Sequence, residues 1–167
     1  ITAIAFDYIR DEHGVYTVVK SLSEIAGTAS ILIAAEIMSN DNGGNGSLLG
    51  NIGGVPPSEV VILGAGTVAE FAARSAIGLG ASVKVFDNSI TKLRALQHSL
   101  GQLIYTSTIQ PKTLQKALMR CDIVIGAARG DSRSPILVTE EMVQQMKEGS
   151  VVVDVSIDRG GCIETSD

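Results

Sequence analysis

Aromatic residues make up only 4% of the 167-residue chain and tryptophan is absent, so the apolar content is mostly Ala, Val, Ile and Leu. The two cysteines, Cys121 and Cys162, are too few for a disulfide framework, and no CxxC or Cys/His spacing suggests a metal site. Both read as reduced, buried, small hydrophobes. None of the 13 basic residues forms a run and the net charge is −5. This argues against nucleic acid as a partner, because phosphate binding needs a concentrated Lys/Arg surface. No apolar stretch reaches the roughly 18 residues of a membrane span, since Glu24 and Glu36 interrupt the greasiest segment, Leu22 to Met38. Ile1 to Arg10 lacks the basic flank and small-residue cleavage site of a signal peptide. The expectation is a soluble, cytoplasmic protein without membrane or nucleic-acid partners.

What is present is 45% hydrophobic residues and 18 glycines, a balance that suits a parallel sheet buried on both faces by helices. A chain of this length buries roughly two thirds of its unfolded surface and needs no staple to hold it together. Residues 1–10 are a short strand-like run, and Val15 to Val19 form a second after a turn at Asp11 to Gly14. Two short strands do not make a domain, so the opening segment looks cut from something larger. Ser21-Leu22-Ser23-Glu24 has the form of a capping box, and Ile25, Ala29, Leu32, Ile33 and Ile37 then recur at helical spacing. That predicts a long amphipathic helix over about 22–39, with a loop and linker following up to residue 58.

From Glu59 onward strands and helices alternate. Strands are predicted at 60–63, 82–86, 102–105, 122–125 and 151–155. Helices are predicted at 67–79, along the Leu93, Leu96 and Leu100 stripe ending at Gly101, at 111–119, and from a Thr139 cap through Lys147. Strands separated by helices of about ten residues are βαβ units, and right-handed crossovers make them a doubly wound parallel sheet, an α/β fold of the Rossmann type.

The chemistry lies in Gly64-Ala65-Gly66-Thr67-Val68-Ala69, a G-x-G-x-x-A turn after a strand and opening a helix. The first glycine permits the tight turn. The second lets the backbone approach a pyrophosphate seated on the helix N-terminus, and Ala69 keeps helix and sheet close. The next strand ends in Asp87, 23 residues past Gly64, where a carboxylate accepts hydrogen bonds from the adenosine ribose and repels the 2′-phosphate of NADP. The cofactor indicated is NAD, with Asn88 beside Asp87. The competing readings are a tight turn with a capping aspartate and no ligand, or an S-adenosylmethionine site. The latter usually has an acidic residue two positions before the first glycine, where this chain has Ile62.

Ligands of open α/β sheets lie beyond the carboxyl ends of the strands. Thr106 to Gln110 follow the third strand on the adenine side. Gly126-Ala127-Ala128-Arg129 follow the fourth and offer a small-residue wall for a nicotinamide ribose, or mere close packing. The fifth strand ends in Val155, then Asp158, which is either a base orienting water or amine beside the hydride acceptor or the cap of a turn before Gly160-Gly161. His13 and His98 read as solvated or packing side chains, and Met142 and Met146 as core.

The run from Gly53 to Asp158 resembles the NAD-binding domain of alanine dehydrogenases and of the proton-translocating nicotinamide nucleotide transhydrogenases. The segments that carry the resemblance are GGVPPSEVVILGAGTVAEFAA, Asp87, VTEEMVQQMKEGSVVVDVSID and Gly160-Gly161-Cys162-Ile163-Glu164. Leu22 to Gly27 is similar to the start of the family's interdomain helix, and Thr2 to Asp7 to the last strand of its substrate domain. The resemblance implies a division into a substrate-domain remnant (1–20), an interdomain helix (21–40), a linker (41–58) and a Rossmann domain (59–167).

It also implies an enzyme that deaminates L-alanine reversibly to pyruvate and ammonia with hydride transfer to NAD. The substrate, a 2-amino or 2-oxo acid, would be held together with a domain outside this chain, in a homo-oligomer. Asp158 falls on the family's catalytic aspartate; the transhydrogenase branch has Glu there, so Asp favours the dehydrogenase branch. The alternatives are a transhydrogenase domain or a non-catalytic NAD-responsive module. Arg159 stands where the family usually has Gln.

Overall fold

The structure is a computed structural model that describes residues 2–130 and 133–166. Five parallel strands form one sheet: β1 (Glu59–Leu63), β2 (Ser82–Phe86), β3 (Tyr105–Ser107), β4 (Ile123–Gly126) and β5 (Val151–Asp154), in the order β3-β2-β1-β4-β5. The reversal of direction in strand order beside β1 makes a crevice at the carboxyl ends of β1 and β4. Register is fixed by buried side chains: Val60 pairs with Val83 and Ile123, and Ile123 with Val151. Slipping one residue would exchange the two faces of the sheet.

Both faces are covered, as the run of aliphatics requires. Val60 and Ile62 pack into the layer formed by α1 (Thr17–Met38), α2 (Thr67–Gly78) and α3 (Ile90–Leu100). Val61 and Leu63 pack on the opposite side with α4 (Pro111–Leu118), Cys121 and Cys162. The short α5 (Glu140–Gln144) is capped by Thr139, whose hydroxyl accepts from Met142 N at 3.3 Å. Helix α2 presents Ala69, Ala72, Ala73 and Ala76, all fully buried, and these small residues let the helices approach closely. Ser89 caps α3 and Gly101 ends it in the left-handed conformation.

Several expectations are corrected. Residues 2–10 are not a strand; they hold a 3₁₀ turn at Phe6–Tyr8. The Val15 to Val19 run enters α1, which starts at Thr17. The backbone at the start of α1 satisfies its hydrogen bonds locally, as in Lys20 N to Tyr16 O at 2.9 Å. Ser21 and Glu24 therefore sit inside the helix and form no capping box; Tyr16 is the N-cap and makes no side-chain cap bond.

The stripe Ile25, Leu32, Ile33 and Ile37 is the outward face of α1, with Ile25 65% exposed. The inward face is Gly27, Ser30, Ile31, Ala34 and Met38, because the seam with α2 selects small residues. At 22 residues, with a window of mean hydropathy 1.4, α1 is long and apolar enough to meet the criterion for crossing a membrane, contrary to the reading that Glu24 and Glu36 preclude it. One of its faces is nevertheless packed on α2 and β5.

Strand β3 begins at Tyr105 rather than Gln102, since β2 pairs only with Tyr105 to Ser107. Helix α5 stops before Lys147, whose ammonium instead reaches Asp122 at 2.9 Å. The Asp122 carboxylate also accepts from Glu59 N at 2.8 Å, tying the start of β1 to the residue before β4. Cys121 and Cys162 are buried and free, as anticipated.

Candidate functional site

The glycine turn joins β1 to α2. Gly64 has φ +102°, and a Cβ there would lie 2.6 Å from Ala127 O, so both conformation and space demand glycine. Its N–H donates to Phe86 O at 2.7 Å. Gly66 is the N-cap of α2 with no side-chain cap bond, and a Cβ there would meet nothing within 4 Å. The first amides of α2, at Thr67, Val68 and Ala69, thus have neither an intrahelical partner nor a capping side chain, and the space beside Gly66 is open. That is the electrostatic arrangement that seats a diphosphate.

Asp87 stands beside this turn. Its Oδ2 accepts from Ala65 N at 2.8 Å and its Oδ1 from Ser89 N at 2.7 Å. The carboxylate is therefore oriented by the turn itself, and each oxygen keeps a further acceptor position. Asn88 is exposed, and its Oδ1 accepts from Ile109 N at 3.2 Å, linking the end of β2 to the loop after β3.

A cavity of about 660 Å³ opens beyond the ends of β4 and β5, beside the first turn of α2. Val68, Ala127, Val155 and Asp158 all line it. Ala127 N donates to Leu63 O and Val155 N to Gly126 O, each at 2.8 Å, so both residues prolong the ladder past the strand ends. The structure thus gathers Gly64, Ala65, Gly66, Thr67 and Val68 with Asp87 and Asn88 at one station, and Ala127, Val155 and Asp158 at the other. Val68 lies at their junction. In the loop singled out after β4, Asp131 and Ser132 lie outside the described residues.

Asp158 is exposed on a 3₁₀ turn, Ile157–Arg159. The turn is held by Asp154, the last residue of β5. Asp154 Oδ1 accepts from Ser156 N (2.9 Å) and Ser156 Oγ (2.6 Å), and its Oδ2 from Cys162 N (2.8 Å) and Ile163 N (3.0 Å). Gly160 and Gly161 supply the positive φ values of 88° and 69° that let the chain fold back over this carboxylate.

Sequence reasoning left Asp154 without a role, although an acid closing the aliphatic run Val151-Val152-Val153 just before Gly160-Gly161 was a usable signal. It also missed the near wall of the cavity, formed by Tyr16, Ser23 and Ala26. Arg129 and Arg159 line the cavity beside Asp158.

Burial pushes the Cys121 thiol up to about 12 and the Cys162 thiol up to about 11, so neither is a nucleophile at neutral pH. Burial works against ionisation of Glu70 as well. The Ser99 hydroxyl and the Arg74 guanidinium outweigh it and hold that carboxyl below its ordinary value, in a link between α2 and α3. Among the described residues no group of three His, Cys, Asp or Glu side chains is placed to hold a metal.

A parallel sheet in this strand order, with an uncapped helix N-terminus behind a glycine turn and a carboxylate at the end of the next strand, defines a dinucleotide-binding domain of the Rossmann class. The chain belongs to the family described as alanine dehydrogenase/PNT, C-terminal domain, whose profile matches residues 30–167. It is 40% identical over 166 residues to an alanine dehydrogenase of Mycolicibacterium smegmatis, covering 99% of this chain and 45% of that protein. An L-alanine dehydrogenase structure superposes with a TM-score of 0.90 at 37% identity, over 97% of this chain and 45% of the other. A transhydrogenase from Sinorhizobium meliloti gives 0.74 at 30% identity, over 90% and 43%. The chain spans about half the length of the curated relatives it matches.

Proposed function

We propose that this chain is the NAD-binding part of an alanine dehydrogenase that converts L-alanine and pyruvate plus ammonia into one another. The observation that carries the reading is the uncapped start of α2 beside Asp87, whose carboxylate is already bonded to the turn's own Ala65 amide. These residues fit the dinucleotide. The amides at Gly66 to Val68 would face its diphosphate, Asp87 and Asn88 the adenosine ribose, and Ala127 and Val155 the nicotinamide side. When bound, NAD supplies the hydride acceptor.

The chain's own residues bind, orient and exclude water. Val68, Ala127 and Val155 form an apolar wall that keeps water from one side of the cleft. Asp158 presents a carboxylate into the same cavity and would hold the substrate's amine, or the water that replaces it, by accepting a hydrogen bond and taking up its proton. The 2-amino or 2-oxo acid would be gripped jointly with parts of the protein beyond this chain, in a soluble cytoplasmic homo-oligomer.

The experiment is turnover by the intact protein with NAD against a panel of 2-amino acids, with NAD and NADP affinities measured by calorimetry. NADH formed from alanine, with NAD bound more tightly than NADP, is the expected result. Asp87→Asn should weaken NAD and narrow that preference. Turnover that needs a second nucleotide-binding subunit instead of an amino acid would establish the transhydrogenase reading. Equal affinity for both nucleotides would refute the assignment of Asp87.

A further inference from the structure

We infer that Gly27, in the middle of α1, is a positioning residue for the dinucleotide. It sets where the first turn of α2 stands, and this inference rests on the NAD reading above. A Cβ at Gly27 would lie 2.3 Å from Val68 O, 2.9 Å from Phe71 Cβ and 3.0 Å from Ala72 N. Two of the three obstacles are backbone atoms of α2, so no rotamer change relieves them. The helices would have to part by about 0.7 Å merely to bring the tightest contact to 3.0 Å.

The strain would fall on the start of α2. On the far side of the seam α1 is anchored by Ile31, Ala34 and Met38, all fully buried. Beyond its first turn, α2 is seated on the sheet by Ala72, Ala73 and Ala76. The first turn of α2 is the yielding part, because it is uncapped and is preceded by Gly66, which has no side-chain contact to hold it. Val68, the residue Gly27 abuts, belongs to the turn whose amides face the diphosphate, and it lines the same cavity as Ser23 and Ala26 of α1. Gly27 therefore brings the α1 wall of the cavity and the phosphate turn to one fixed separation. Misplacing a positioning group by about 1 Å can cost on the order of 10²-fold in rate, and a smaller shift of the binding turn is expected to cost affinity by a lesser factor.

The test compares Gly27→Ala, Ser30→Val and Ala34→Val in the intact protein. These overpack one buried helix face at successively greater distance along the chain from Gly27. Each is assayed for NADH affinity by fluorescence, for KM of NAD against KM of the amino acid, and for thermal unfolding. Gly27→Ala should weaken NADH tenfold or more and raise the KM for NAD by a similar factor, with the amino-acid KM within threefold. Ala34→Val should lower the unfolding temperature while leaving NADH affinity within twofold, and Ser30→Val should fall between.

If Gly27→Ala does not fold, the comparison of Ser30→Val with Ala34→Val carries the same gradient. NADH affinity unchanged in folded Gly27→Ala overturns the inference, as does an equal loss in Ser30→Val and Ala34→Val. A native protein that binds no NADH would remove the functional reading itself, a result seen before any variant is made.

Discussion

Replacing Asp154 by Asn keeps the side chain's volume and removes one of its two acceptor oxygens. In the native turn one oxygen accepts from Ser156 N and Oγ and the other from Cys162 N and Ile163 N. An amide offers one acceptor and one NH₂ group, whereas the Ser156 hydroxyl can turn and accept, so the favoured orientation keeps the oxygen on Cys162 N and Ile163 N and sets the NH₂ against Ser156 N. Leaving one desolvated backbone donor unmatched costs roughly 1–3 kcal/mol.

The same four bonds fix the turn carrying Asp158, whereas the glycine turn at Gly64 is built by other contacts. Asp154→Asn in the intact protein should therefore lose about 1–3 kcal/mol in denaturant unfolding. Turnover should fall about tenfold or more, and NAD affinity should stay nearly native. A variant within about 0.5 kcal/mol of native stability with native turnover would refute the claim that this carboxylate organises the Asp158 side of the cleft.

The two faces of α1 give a paired expectation: Ile31→Ala should cost about 2–5 kcal/mol by opening a buried cavity, whereas Ile25→Ala, at an exposed position, should cost little; equal losses would reverse the assignment of faces. The thiols give a pH expectation. Both are held protonated in the fold, with values raised from 9.0 to about 12 for Cys121 and about 11 for Cys162. The unfolded chain therefore releases these protons first. Their contribution is constant below about pH 9 and stability falls as pH rises from there toward the folded values. Maleimide should label neither cysteine at pH 7.5 until denaturant is added, and rapid labelling of the native protein would contradict their burial.

Much of the architecture was legible because its signals are local. Val60 to Leu63 reads as a buried strand, Gly64 and Gly66 punctuate it, and Leu93, Leu96 and Leu100 stripe a helix. Asp87 could be singled out by chain spacing alone, and the structure places it against the turn as that spacing requires. Asp158 was legible as the acid at the mouth of the last strand.

The failures have a common cause. Ile25, Leu32, Ile33 and Ile37 read as the apolar face of an amphipathic helix, and periodicity records which residues share a face without saying which face has a partner within the chain. Gly27, Ser30 and Ala34 look like a weak face, yet close approach of α2 makes them the buried one. The length of α5, the start of β3 and the fate of residues 2–19 were likewise settled by neighbours distant in sequence.

The chain's own order of residues thus determined the α/β alternation, the glycine corner and the acid that follows it, since each depends on backbone conformations and spacings within a few dozen positions. Only the tertiary structure decided that Asp154 is a structural acceptor and Asp158 the exposed one, that α1 turns its small-residue side inward, and that Tyr16, Ser23 and Ala26 help enclose the cleft. Those outcomes depend on which surfaces meet, and packing between distant segments leaves no periodic trace in a sequence.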